Sequence, residues 1–296
     1  MLKRKNISRV QGDAKCIHRQ QLFHWIGGNL DKRNKGRKVV ADDLVPKYLD
    51  YVRGSLEHGL WVKIPSIPEE FALKKDLLPL TKPIICFTEW SLGQTVHHTG
   101  KYGRIGFGFP KRWVIERGGQ SVTYFRHAER SPFLQSIFRL LRATPTSSPV
   151  FDDLLYVLHF AKMIRERRQP SAVKKRKVPK PLITKHPTLK AQPAATFRRR
   201  FGAQLPFVEE REWRIVHHAD NSHFVKGPGL PEYYLPYIPG DELFTLVLPD
   251  NKVVSRVLQT TWFTKRLFTP HLVYPKLKRQ PVPPVTVLAY SDIQTF

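Results

Sequence analysis

Cysteine is scarce in this 296-residue chain: Cys16 and Cys86 stand far apart, with no CxxC and no even framework of spacings. That excludes a disulfide scaffold and leads us to expect a reducing, cytoplasmic setting. No apolar run approaches the about 18 residues a membrane span needs. The basic start, MLKRKNISRVQGDAK, has no apolar stretch behind it, so neither a spanning helix nor a secretory signal is expected. Acids are also few, 24 Asp and Glu against 50 Lys and Arg, a formal charge of +26. Such an excess points to a polyanionic neighbour, most often nucleic acid, or to an acidic protein partner. HExxH, a Cys/His zinc spacing, a Walker loop and a GxSxG elbow are all missing. The histidine pairs His97-His98 and His217-His218 do not replace them, because neighbours on a strand point to opposite faces. No metal and no resident cofactor is expected.

What is present reads as strands outnumbering helices without regular alternation. The expected fold is therefore α+β, a central mixed, mainly antiparallel sheet with flanking helices. Strands are expected at Gln21–Leu30 (turning at Gly27-Gly28), Pro83–Glu89, Arg104–Phe109, Gln120–Phe125, Glu212–Val216 and Leu243–Leu248. Further extended segments are expected at Leu272–Tyr274 and Pro284–Tyr290. Asp42 and Asp43 open a helical period that stops at Gly59, and Asp250-Asn251 turns into another at Lys252–Leu258. Pro132–Arg142 has an amphipathic period. Ser148-Pro149 caps a core helix carrying Phe151, Leu154, Leu155, Leu158, Phe160 and Met163. Residues 1–20 read as a basic lead-in and 21–296 as one domain. That domain is interrupted at about 169–196 by a flexible insertion. Arg165–Arg200 holds 13 Lys or Arg, one acid and five prolines, too little apolar matter to fold alone.

Two blocks carry candidate chemistry. In Ile84–Gly118 a strand ends on Glu89, and a second strand alternates Gly106 and Gly108 with Ile and Phe. A face without side chains lets a ligand or a neighbouring element come close, so Glu89, Gly106 and Gly108 are candidate cleft residues. In EEREWRIV, period-2 alternation puts Glu212 and Arg214 on one face and Trp213 and Ile215 on the other. Glu212 is then either a working carboxylate in a cleft wall beside Arg214 or half of a solvated ion pair. The basic runs Lys174, Lys175, Arg176, Lys177 and Arg198, Arg199, Arg200 would neutralise phosphates without reading bases.

ICFTEW followed by KYGRIGFGFPKRWVIERGG, the later EREWR, and the closing VTVLAYSDIQTF together resemble the AbiGi family of abortive phage-resistance antitoxins. The likeness runs from about Leu22 to Phe296 around the basic insertion. It implies a bacterial phage-defence protein acting by binding a co-encoded defence protein, nucleic acid or both. A looser likeness, in order and residue type, is to ADP-ribosyltransferase-type toxins. It implies an NAD-dependent enzyme in which His24 holds the ribose, Tyr102 stacks on nicotinamide and Glu212 stabilises oxocarbenium-like charge. That alternative requires His24, Tyr102 and Glu212 to converge on one cleft.

Overall fold

Seven strands form the central sheet of the computed structural model, in the order β12-β11-β4-β1-β3-β8-β5. The structure describes residues 21–34, 37–62, 82–89, 99, 102–125, 131–163, 211–218, 223–226, 233–274, 277 and 284–293. The lead-in, the insertion, the two basic runs and His97-His98 lie outside these residues. The sheet strands are β1 (Gln21–Ile26), β3 (Ile84–Thr88), β4 (Ile105–Pro110), β5 (Gln120–Ser121), β8 (Glu212–Val216), β11 (Thr245–Leu248) and β12 (Thr286–Ala289). Every pairing is antiparallel except β11 with β12. The fold is α+β with a mixed, mainly antiparallel sheet, as the sequence led us to expect. Two small sheets accompany it: β2 (Leu60–Val62), β10 (Tyr233–Leu235) and β9 (Val225–Lys226) in one, β6 (Thr123–Phe125) and β7 (Ala161–Met163) in the other.

Register assigns the two faces of the large sheet. Leu22, Phe87, Phe107, Phe109, Ile215 and Leu246 point to the main core. Helices α2 (Val45–His58), α3 (Lys111–Glu116), α6 (Asn251–Gln259) and α7 (Thr261–Phe268) cover that face through Tyr48, Val52, Trp113, Val253, Val257 and Phe263. Asp250 caps α6, accepting from Val253 N with one oxygen (3.0 Å) and from Val40 N with the other (2.5 Å). The opposite face carries Phe23, Trp25, Cys86, Thr88, Glu212, Arg214 and Val216. A hairpin of α4 (Pro132–Ala143) and α5 (Pro149–Leu158) belongs to this side, with its own apolar core. Ser131 and Ser148 cap the two helices, as their sequence predicts. Phe160 and Tyr156 join the hairpin to Ile84 and Val216 of the sheet.

Some elements differ from expectation. A helix, α1 (Gly28–Arg33), follows β1 where the turn and a loop were expected. Asp31 stabilises it by accepting from Tyr48 Oη at 2.6 Å, from Arg104 Nε at 2.7 Å and from Arg104 N at 2.8 Å. The α5 helix ends at Leu158, so Phe160 and Met163 fall in the turn and in β7. Gln120–Phe125 is two strands in different sheets, broken where Val122 N donates to Glu212 O. A 3-10 turn at Pro270–Leu272 replaces the start of the extended segment at Leu272–Tyr274.

Candidate functional site

Glu212 opens β8 on the hairpin side of the sheet and is 5% exposed. The residue before it, Arg211, takes a φ of +35, a left-handed conformation that costs a non-glycine residue about 1 kcal/mol. Its carbonyl accepts from Glu89 N, so the bend into β8 is tied to the end of β3. Arg214 follows two residues later on the same face, and its Nε donates to Glu212 Oε1 at 2.7 Å. From β7, Lys162 Nζ donates to Glu212 Oε2 at 2.5 Å. Arg214 also donates through Nη1 to the carbonyl of His159, in the turn after α5. Both carboxylate oxygens are thus engaged, each by a cation. Those cations hold the carboxyl down at about 2 against the opposing effect of burial.

Cys86 stands opposite Arg214 in the β3–β8 register. Burial, reinforced by the Glu212 charge, pushes its thiol up to about 12. It is a protonated packing residue at neutral pH, not a nucleophile. Beside this group, His159 accepts from Lys82 N through Nε2 (3.1 Å) while its Nδ1 faces the Leu155 carbonyl at 2.7 Å. The ring is therefore the neutral Nδ1–H tautomer, and burial lowers its pKa. Lys82 Nζ pairs with Asp152 at 2.5 Å, and His218 Nε2 lies 3.0 Å from Asp153. These contacts fasten α5 to the sheet edge. His217 turns the other way, against Phe224 and Tyr233, as adjacent strand residues must.

The glycine-alternating strand is not a cleft wall. A Cβ on Gly106 would sit 2.6 Å from the Trp25 ring, and one on Gly108 would sit 2.7 Å from both Phe23 and Gln21 Oε1. The bare face of β4 is filled by aromatic side chains from the neighbouring strand, so the close approach is that of an element and not of a ligand. Glu89 is engaged too, by Lys111 Nζ at 2.7 Å and by Trp213 Nε1 at 3.0 Å. Trp213 belongs to the main-core face, so Glu89 and Glu212 serve opposite sides of the sheet. The reading of Glu212 and Arg214 as a solvated pair is also overturned, because Lys162 of β7 and the turn after α5 close over them.

His24, Tyr102 and Glu212 do not converge. The β1 register places His24 on the main-core face with Leu22, where its ring meets Phe87. Its Nδ1 donates to the Cys86 carbonyl at 2.8 Å, supplying a bond where β1 and β3 pair only at Phe23–Thr88. Burial lowers its pKa to about 4. Tyr102 packs with Phe23, Trp25 and Tyr290 just ahead of β4. It is three strand positions from β8 in the sheet order, roughly 14 Å across the sheet. His24 and Glu212 thus lie on opposite faces of the sheet. Among the described residues, no three His, Cys, Asp or Glu gather as metal ligands, and no helix is long and apolar enough to cross a membrane.

Sequence reasoning missed Lys162. It lies at the edge of the basic stretch, and only the parallel pairing of β6 with β7 brings it to Glu212. Comparison with known proteins gives one family: the model described as "Putative abortive phage resistance protein AbiGi, antitoxin" matches residues 69–225. The matched span is just over half of the chain and contains β3, β4, β8 and the α4–α5 hairpin. No curated protein and no solved structure matches the chain.

Proposed function

Because the chain belongs to the AbiGi family, whose description is of abortive phage resistance and an antitoxin, we propose that it works by binding and not by turnover. In this reading it captures a co-encoded defence protein, and its Lys/Arg-rich segment engages nucleic-acid phosphates. The family match carries the antitoxin-type part. The state of Glu212 supports binding over catalysis: a carboxylate held by Arg214 and Lys162, with a depressed pKa, is a poor general base. The net charge of +26 supports the nucleic-acid part.

The test is genetic and biochemical together. Proteins encoded beside this chain are expressed alone and with it. The expected outcome is that one of them arrests growth, that co-expression relieves the arrest, and that the two co-purify at moderate salt. Deleting the pair should raise phage plating efficiency. If no neighbour is neutralised or captured and phage sensitivity is unchanged, the reading is wrong.

A further inference from the structure

The three-stranded sheet β2-β10-β9 packs Leu60, Val62 and Leu235 into the main core. Its outer face carries the alternate residues. Register sets Trp61 opposite Tyr234, and Tyr234 opposite Val225. Cross-strand neighbours stand about 5 Å apart, so the three side chains form one row. Trp61 is 58% exposed and Val225 is 52% exposed. His58, the last residue of α2, lays its ring beside Tyr234 with centroids 5.7 Å apart. Gly59 makes this possible: it turns α2 directly into β2 at φ +101, and a Cβ there would lie 2.4 Å from the Leu235 carbonyl.

The row continues around the end of α2. Tyr274 donates to the Leu56 carbonyl at 3.4 Å and is hydrogen-bonded to Arg266. The Arg266 guanidinium lies 3.7 Å from the Trp262 ring centre and that of Arg53 lies 5.2 Å from it. Lys265 on α7 adds another cation, with Glu57 the acid on this end of α2. The buried Glu212 group takes no part in this face.

We propose that this outer face is a stacking platform for single-stranded nucleic acid. Single exposed apolar residues are ordinary, but a row of a Trp, a Tyr and a His ring flanked by guanidiniums has a specific complement. Planar rings stack on any base, and guanidiniums meet phosphates or extend the stack. The charge of the chain selects a polyanion as occupant. A protein helix would seat on aliphatic side chains, of which the row has one. The inference goes beyond the antitoxin reading, since it concerns a folded surface that owes nothing to a toxin.

The experiment uses the full chain and fluorescein-labelled oligo(dT) and oligo(U) of about 12 nucleotides, a site size suited to such platforms. Trp61→Ala and Tyr234→Ala should each weaken binding about tenfold, the size of a lost base stack. Their salt dependence should be unchanged, because neither removes a charge. Trp61→Phe should keep most of the affinity while losing part of the tryptophan fluorescence quenched on binding. Arg53→Ala and Arg266→Ala should flatten the salt dependence. The dT and U arms decide whether DNA or RNA is preferred. If both alanine variants and their double bind within twofold of the parent, the platform is not there. If Trp61→Ala abolishes capture of the partner protein but leaves oligonucleotide affinity intact, the face is a protein dock and the proposal fails. Neutralisation by the Trp61→Ala protein separates failure here from failure of the antitoxin reading.

Discussion

At the scale of single residues, Glu212 is a pin whose energetics are set by the two cations on it. Removing one partner of a buried ion pair costs about 3–5 kcal/mol, because the charge left behind stays desolvated. Glu212→Ala strands both Arg214 and Lys162, so urea unfolding should show a loss in that range, with Glu212→Gln losing less. Lys162→Met should cost less again, its side chain being 20% exposed. The pH dependence follows from the direction of each shift. Glu212 is held below its unfolded value, from 4.5 to about 2. Its stabilisation, on the order of 3 kcal/mol, is complete above about pH 4.5 and disappears as pH falls toward 2. His24 acts earlier. Burial lowers it from 6.5 to about 4, so the unfolded chain takes up the proton first and stability falls as pH drops from about 6.5 to 4. His24→Gln keeps an amide donor for the Cys86 carbonyl and removes that titration. Chemical denaturation between pH 7 and 5 should be flatter in this variant, with a residual slope from His159, which burial also keeps neutral. An unchanged slope would mean that His24 does not titrate in this way.

Among the secondary-structure elements, the β1–β4 ladder shows why a pattern can be read correctly and still mislead about use. The alternation of Gly106 and Gly108 with large apolar residues is legible, and so is the close approach it permits. What approaches is set by register, which places Trp25 opposite Gly106 and Phe23 opposite Gly108, and no local pattern states a register. Gly106→Ala should therefore destabilise by about 1–3 kcal/mol through overpacking against Trp25. Trp25→Phe should relieve part of it, so the double variant loses less than the sum of the singles. Additive losses would show that the ring and the glycine do not share the space. The same limit explains the other differences. Ser131-Pro132 and Ser148-Pro149 announce α4 and α5 because caps are local chemistry. The α1 helix, by contrast, is six residues with no side-chain cap, and its fastening to Tyr48 and Arg104 through Asp31 is long-range. Likewise Glu212 and Arg214 are legible as a same-face pair, whereas their burial depends on Lys162 and His159, about 50 residues earlier in the chain.

For the whole molecule, the expectation that a block of charge lies on an insertion outside the fold can be tested. Residues 169–196 contain seven Lys or Arg, no acid and all five prolines of the surrounding basic stretch. The strands and helices described above use none of them. If the segment is an insertion in one domain, joining residue 168 to 197 should leave the thermal unfolding transition single and its midpoint within about 2 °C of the parent. Nucleic-acid binding should respond quite differently. On duplex DNA the slope of log affinity against log salt falls by about 0.9 for every phosphate the protein no longer neutralises. Removing seven cations can thus reduce that slope by as much as about 6, with the greatest loss of affinity at low salt. Stacking on the Trp61 and Tyr234 rings itself releases no counterion, so single strands should retain more affinity at high salt than duplex DNA does. Two results would contradict this division: a large drop in midpoint, which would make the segment part of the core, or an unchanged salt slope, which would leave the segment's cations out of phosphate binding. With both outcomes as expected, the protein is an α+β scaffold held shut around Glu212, with a block of its polyanion-binding charge carried on a segment the scaffold does not need.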